Sequence, residues 1–276
     1  MKNKKLFWLI PAGIFLVAAL VTGIWLIMDH MERKAAEDLY QQLAQQNTVS
    51  SPVQESSTPE EVVPTVPQEE VKVDVLAQRG IEIPEKEIDF AALQAETNAD
   101  IYAWIYIPGT KIDYPVLQHP TDDSYYLDYN IDGSKGYPGC IYTELCNSKD
   151  FTDPHTVLYG HNMKNGTMFA GLHNYRDADY LAEHPYIYIY TPDKTYVYEI
   201  FGAYEFSAVH LIRNFDLANP DIFQIYLDGV FEIRDMGANI LSDIEVDKED
   251  RIVTLSTCIK TKPNQRYLVQ GVLLNP

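Results

Sequence analysis

The chain has 276 residues, of which 46% are hydrophobic and 22% charged, a composition typical of a globular protein and not of a disordered chain or a protein with many membrane spans. Its 40 acidic and 21 basic residues give a net charge of −19, which argues against nucleic-acid binding because phosphate contacts need clustered Lys and Arg. Its three cysteines have no C-x-x-C spacing, so neither a disulfide framework nor a cysteine-ligated zinc site is indicated.

The beginning of the chain predicts a single membrane anchor. Residues 6–28 form a run of 23 residues without a charge, long enough at about 1.5 Å per residue to cross a hydrocarbon core of roughly 30 Å. A cleavable signal peptide is the alternative, but its apolar region is usually about 7–15 residues, and no clear small-x-small site follows Met28. Three lysines lie in residues 1–5, so the positive-inside rule predicts that this tip is cytoplasmic and that the rest of the chain is extracellular.

The next two segments differ in composition. Residues 29–46 are rich in Ala, Leu, Gln, Glu and Lys, which predicts a juxtamembrane helix that acts as a solvated spacer. Residues 47–74 hold six acids, one lysine and four prolines, which predicts a disordered, extended stalk. The first 46 residues carry a net charge of +1 and the stalk −5, so the predicted extracellular domain, residues 75–276, carries −15.

The extracellular domain is predicted to be mostly β. Asp89 is a candidate N-cap for a short helix, and residues 168–183 and 220–234 have helical patterns. A Thr-Pro-Asp-Lys turn between two Tyr-rich runs predicts a hairpin over residues 186–206. Eight short apolar runs predict strands, at residues 101–107, 112–117, 140–143, 156–159, 186–190, 196–206, 252–257 and 267–274. Many short strands with few helices indicate a mostly antiparallel barrel or sandwich with peripheral helices.

Two predicted strand ends present side chains suited to nucleophilic chemistry. Cys258 ends the run TLSTC, in which alternation places Ser256 on the same face. A thiol is a strong nucleophile once a nearby base or cation favours its thiolate. His161 ends a second run with Tyr159 on its face, and Arg266 begins the last strand. An imidazole base and a guanidinium cation are the groups that activate such a thiol and stabilise an oxyanion.

Each of these residue types also has a purely structural interpretation. A cysteine at a strand end is more often a small buried apolar residue, and single histidines and arginines commonly serve as hydrogen-bonding or surface groups. Cys140 fits the buried interpretation better than Cys258, whereas Cys146 lies in a polar loop without an obvious partner. His155 and His161 lack carboxylate or thiolate neighbours at ligand spacing, so neither a metal site nor a required cofactor is predicted.

Three motifs, which follow one another along the chain with the histidine segment first and the arginine last, resemble those of sortases, the cysteine transpeptidases of Gram-positive cell surfaces. The run TLSTC with its downstream arginine is similar to the sortase cysteine and arginine signature, and LYGHNM is similar to the catalytic-histidine segment of the family. The resemblance covers roughly residues 85–276. It includes residues 102–118 and 160–175, and these segments together resemble class B sortases.

The resemblance implies a sortase-like eight-stranded β-barrel with peripheral helices, preceded by the transmembrane helix, and three catalytic residues. Cys258 would attack the carbonyl of a threonine in a C-terminal sorting signal to form a thioacyl enzyme, which an amine of cell-wall peptidoglycan resolves. His161 would protonate the leaving amine and deprotonate the attacking one, and Arg266 would stabilise the oxyanion or align the substrate.

Tyr159, Ser256 and Thr257 are expected to contact the substrate. Many class B relatives carry an acidic residue soon after the cysteine, whereas the sequence here continues Ile-Lys-Thr, so carboxylate assistance to the histidine is not expected.

Three other functions were compared with this interpretation. A papain-like protease places its cysteine near the start of a helix and before the histidine, which does not fit this order. A non-catalytic tethered surface-binding domain and a sortase that polymerises pilins through a pilin lysine stay open as alternatives. The expected partners are surface proteins with a C-terminal sorting motif, a peptidoglycan precursor or pilin amine, and the membrane.

Overall fold

The computed structural model describes the chain in two parts, residues 3–47 and residues 75–276. Residues 1–2 and 48–74, and the side chains of residues 3–17, lie outside the described part. Nearly all of the predicted stalk is therefore untested.

In the described part of the chain, nine strands form one sheet, and eight of them close it into a barrel. The strands are β1 Ile101–Tyr106, β2 Asp113–Leu117, β3 Ile141–Tyr142, β4 His155–Tyr159, β5 Tyr186–Tyr190, β6 Thr195–Ser207, β7 Asn239–Ile240, β8 Ile252–Ile259 and β9 Lys262–Leu273. The hydrogen-bonded order is β5-β1-β2-β3-β4-β8-β9-β6, and β6 pairs back to β5, while β7 extends the sheet beside β6. Only the β2–β3 and β4–β8 pairs are parallel among these strands. The predicted mostly antiparallel eight-stranded barrel is confirmed.

The helices lie around this barrel. Their bounds are α1 Asn3–Gln46, α2 Val75–Arg79, α3 Phe90–Glu96, α4 Tyr125–Asp128, a 3-10 helix Phe169–Arg176, α5 Ala178–Glu183, α6 Leu211–Asn214 and α7 Pro220–Phe231. Asp89 caps α3 as predicted, since its carboxylate accepts from the N–H of Ala92 at 2.8 Å. The amphipathic helix α7 buries Phe223, Leu227 and Val230 against the outside of the barrel and forms a second apolar cluster there.

The helix α1 packs against the barrel, so the interpretation of residues 29–46 as a solvated spacer is wrong. Ala36, Tyr40 and Leu43 recur at helical spacing and are all buried. The Tyr40 hydroxyl donates to the carbonyl of Gly139 at 2.7 Å, and its ring meets that of Tyr114 edge-on, with 5.8 Å between the centroids. The helix is continuous through the predicted boundary at residue 28, and its last turns join the barrel core.

In the described residues, no helix combines the length and the apolar character needed to cross a membrane. The side chains of residues 6–17 lie outside the described part, so the predicted anchor over residues 6–28 stays a prediction.

The packing of α1 leads us to expect that a fragment of residues 75–276 unfolds at lower urea concentration than a fragment of residues 29–276. Loss of the buried Tyr40 and Leu43 side chains should cost about 3 kcal/mol or more, because large-to-small changes in a core leave uncompensated apolar surface. Tyr40→Ala in the longer fragment should give most of that loss, and Gln42→Ala, on the exposed face of α1, should give none. Equal midpoints for the two fragments would show that α1 does not stabilise the domain.

Candidate active site

Three neighbouring strands bring the predicted catalytic residues to one place. In the parallel pair β4–β8, Tyr159 lies beside Ser256, and the N–H of Gly160, directly after β4, donates to the Ser256 carbonyl at 3.2 Å. Beyond the end of β4, Asn162 donates from Nδ2 to the Cys258 carbonyl at 2.9 Å, so the segment that carries His161 reaches the end of β8. In the antiparallel pair β8–β9, Cys258 lies directly opposite Arg266, so their side chains leave the sheet on the same face.

Solvent exposure separates the three cysteines. Cys258 is exposed although it follows six buried residues of β8, so its thiol is open to a substrate. Cys140 is 1% exposed, its sulfur lies 3.2 Å from the Tyr40 hydroxyl oxygen, and burial raises its pKa to about 12. Cys146 is exposed in its loop, as expected. Burial and the negative charge of Glu144 raise the pKa of Cys146 to about 11, whereas the exposed thiol of Cys258 lies opposite Arg266.

The imidazole of His161 is oriented by backbone and aromatic contacts. Its Nε2 donates to the carbonyl of Leu127 at 2.7 Å, which leaves Nδ1 as the nitrogen free to exchange a proton. The ring of Tyr137 meets it at 66° with 4.9 Å between the centroids. The hydrogen-bond partner of Nε2 is thus a backbone carbonyl.

Two glycines allow the close approach of chains around His161. A Cβ on Gly160 would lie 2.5 Å from Ile141 Cδ1 and 2.7 Å from a ring carbon of Phe169. Gly139 has a φ of +67°, and a Cβ there would lie 2.9 Å from a backbone carbonyl oxygen and 3.2 Å from His161 Cδ2. A side chain at position 139 would therefore strain the backbone and crowd the imidazole, and one at position 160 would displace Ile141 or Phe169.

The guanidinium of Arg266 is held by backbone carbonyls at the start of its own strand, β9. One nitrogen, Nη1, donates to the carbonyls of Pro263 at 3.1 Å and Gln265 at 3.0 Å. These two bonds fix the plane of the group on the face that carries Cys258.

We expect Arg266→Lys to lower the kcat/KM of transpeptidation by about tenfold to hundredfold. An ammonium keeps the charge but cannot reproduce the planar donor fork, and the loss of one oxyanion donor typically costs about a hundredfold or more. Arg234→Lys is the matched control, because Arg234 also donates to two carbonyls of its own segment but lies at the end of α7. Turnover of Arg266→Lys at the wild-type rate would reduce Arg266 to a surface charge.

The three predicted substrate contacts differ in accessibility. Tyr159 is partly exposed and stacks on Tyr142 with 5.5 Å between the ring centroids. Ser256 and Thr257 are 5% and 2% exposed, and the Thr257 hydroxyl donates to the Gly160 carbonyl at 2.8 Å, which fastens β8 to β4. Tyr159 thus offers the most surface of the three, and the role of each in substrate binding stays a prediction.

Tyr142 is a neighbour of the site that sequence analysis missed. Burial raises the pKa of its phenol, and the negative charge of Glu144 and the neighbouring Cys258 raise it further. Its strand, β3, has only two residues and joins β2 by a parallel pairing, so no local sequence pattern places Tyr142 near Cys258.

One group of possible metal ligands lies in the described residues, formed by Glu144, Cys146 and His210 within 4.8 Å of one another. Nδ1 of His210 accepts from the backbone N–H of Arg213 at 3.1 Å, so Nε2 carries the ring hydrogen and hydrogen-bonds Glu144. The donor set therefore fits a hydrogen-bonded pair better than a metal site.

His155 is fully buried, and burial lowers its pKa to about 3.

Comparisons with known proteins agree with this geometry. A family model described as Sortase domain matches residues 105–274. Sortase B of Listeria monocytogenes is 36% identical over 179 residues, which cover 64% of this chain and 71% of that protein. Sortase B of Staphylococcus aureus is 30% identical over 257 residues, which cover 93% of this chain and 91% of that protein. The solved Staphylococcus aureus sortase B-substrate complex matches with a TM-score of 0.62 at 25% identity, over 90% of this chain and 98% of that one.

The matched family model spans more than half of the chain, and the Staphylococcus relative aligns with nearly all of it. Together with an exposed cysteine opposite an arginine on a closed barrel, these matches show that the chain belongs to the sortase family of cysteine transpeptidases and is similar to its class B members.

Proposed function

We propose that this sortase is anchored by residues 6–28, with its N-terminus in the cytoplasm, and that it attaches surface proteins to the cell wall outside the membrane. It cleaves a C-terminal sorting signal after threonine and transfers the protein to an amine of peptidoglycan. The uncharged run of 23 residues and the lysines before it support the anchor and its direction.

In the first half of the reaction, the Cys258 thiolate attacks the threonine carbonyl, and the resulting oxyanion is stabilised by the guanidinium of Arg266. The carbon–nitrogen bond then breaks as His161 gives a proton to the leaving amine. The products are a thioester on Cys258 and the released C-terminal fragment.

In the second half, an acceptor amine attacks the thioester and gives a proton to His161. The carbon–sulfur bond breaks, so Cys258 leaves as a thiolate and a new amide joins the surface protein to the acceptor. The cycle balances without an oxidant or a further reactant.

The observation that carries this proposal is the exposed thiol of Cys258, opposite Arg266 and in contact through its carbonyl with Asn162, the residue after His161. A thiol in this setting can form a covalent acyl intermediate, whereas a purely structural cysteine is normally buried like Cys140.

Incubation of the full chain in detergent with a library of sorting-signal peptides, followed by intact mass measurement, tests the proposal. We expect a mass increase on Cys258 equal to the peptide portion ending at threonine, and its transfer to a peptidoglycan stem amine. Cys146→Ala is the control and should acylate normally, because Cys146 is a second exposed thiol outside the catalytic register. Transfer only to a pilin lysine peptide would favour the pilin-polymerising alternative, and no adduct on Cys258 would contradict both.

A further inference from the structure

The carbonyl oxygen of Cys258 is held by two side chains that the reaction above does not use. Asn162 donates from Nδ2 to this oxygen at 2.9 Å, and Nε2 of His173 lies 3.2 Å from it. The two side chains also contact each other, with 2.8 Å between Nδ2 of Asn162 and Nε2 of His173. Three polar atoms therefore meet at the backbone of the nucleophile.

These contacts occur where the pairing of β8 with β9 becomes irregular. Cys258 is still paired with Arg266, but the register shifts between Cys258 and Ile259. An irregularity of this kind disturbs the local ladder and re-aims the side chain next to it. The hydrogen bonds from Asn162 and His173 to the Cys258 carbonyl constrain the backbone at this position, and the backbone sets the direction of the thiol.

The two side chains come from segments that also position the other catalytic groups. Asn162 directly follows His161, and its backbone forms a bridge with Met168. His173 belongs to the 3-10 helix, and its ring lies 5.0 Å from that of Tyr267, the neighbour of the catalytic arginine on β9. The contacts thus link the segments of His161 and Cys258 through one oxygen atom and place His173 against the strand that carries Arg266.

The ring of His173 suits this role in its neutral form. Burial lowers its pKa, and the positive charges of Arg176 and Lys260 lower it further, against an opposing effect of the bond to Cys258. In the Nε2–H tautomer the ring donates to the carbonyl directly. In the Nδ1–H tautomer it accepts from Asn162, whose second amide hydrogen goes to the carbonyl.

We propose that Asn162 and His173 are positioning residues that form a clamp on the Cys258 carbonyl and hold the thiol at the spacing from His161 that acylation requires. This inference deepens the proposed function and rests on it. Neither side chain needs to touch the substrate, because a displacement of about 1 Å at a reacting group can cost on the order of a hundredfold in rate.

The test compares His173→Ala, His173→Gln and Asn174→Ala in the full chain. We expect His173→Ala to lower kcat about tenfold with KM within about twofold, since the lost hydrogen bond orients the thiol and does not bind peptide. His173→Gln should recover most of the rate, because its amide can donate or accept at the same place. Asn174→Ala, an exposed neighbour on the same helix, should match the wild type.

The double variant tests whether both side chains act on one oxygen. If they do, Asn162→Ala combined with His173→Ala should lose less activity than the product of the single losses, because either change alone already loosens the clamp. Multiplying losses would show two independent effects and overturn the clamp.

A second readout does not depend on transpeptidation. Alkylation of Cys258 by iodoacetamide, followed by peptide mass, should be slower in His173→Ala than in the wild type and restored in His173→Gln, with unchanged unfolding midpoints. Wild-type kcat and alkylation rates in His173→Ala would overturn the clamp, as would a loss that follows reduced stability and is not rescued by glutamine. A wild-type chain that alkylates normally but forms no acyl-enzyme would instead contradict the proposed function.

Discussion

Cys258→Ala should reduce transpeptidation by a factor of about 10⁴ or more, because the substitution removes the only atom of the site that can form the thioester. The domain should remain folded, since the side chain is exposed and surface substitutions usually change the free energy of unfolding by less than about 0.5 kcal/mol. The measurement is the rate of product formation by mass spectrometry, with a urea unfolding curve of the same variant.

The matched control for this variant is Cys146→Ala, which removes the other exposed thiol. It should retain the wild-type rate and should still be inactivated by a thiol reagent, whereas Cys258→Ala has nothing left for that reagent to inhibit. Product formation by Cys258→Ala above the uncatalysed background would contradict the nucleophile assignment, whatever the rate of the Cys146 variant.

The barrel strands could be predicted from the sequence because they depend on local patterns. The hairpin of β5 and β6 shows this, since alternating Tyr-rich runs flank a turn in which the N–H of Thr191 donates to the Lys194 carbonyl at 3.0 Å. The pairing of strands that are distant in the sequence could not be predicted from local patterns. The parallel pairing of β4 with β8 joins residues about a hundred positions apart, and only a family resemblance implied that His161 and Cys258 would meet.

The docking of α1 was missed because its buried stripe is narrow. Ala36, Tyr40 and Leu43 are three residues in a segment otherwise rich in charged and amide side chains, and such a stripe does not distinguish a docked helix from a solvated one. The deciding contacts are made to Gly139 and Tyr114, far along the chain, so they exist only after the barrel has formed.

The clamp on the Cys258 carbonyl has no sequence signal either. Asn162 and His173 bind a backbone oxygen, and any residue type can supply that oxygen, so no pairing of side-chain chemistry points from one to the other. Local pattern thus offers Cys258 and His161 as candidates and the family resemblance implies their roles, while their relative position is decided by contacts that depend on the whole fold.

His161→Ala should lower the rate with an amide substrate by about 10²–10⁴-fold, because an amine is a poor leaving group unless an acid protonates it as the bond breaks. The effect on acylation should depend on the leaving group. A peptide ester with a phenolate leaving group needs no such proton, so the loss for acylation should be much smaller with this ester than with the matching amide.

The same comparison separates the role of His161 from a structural one. If the imidazole only supported the fold through its bond to the Leu127 carbonyl, His161→Ala would impair the ester and the amide equally. His30→Ala, at an exposed position of α1, is the control for loss of a histidine and should leave both rates unchanged. Aminolysis of the thioester should remain slow in His161→Ala with either substrate, because the attacking amine still has to lose its proton. An acyl-enzyme that accumulates from the ester but does not turn over is therefore the result that assigns both proton transfers to His161, and equal losses with ester and amide would contradict the assignment.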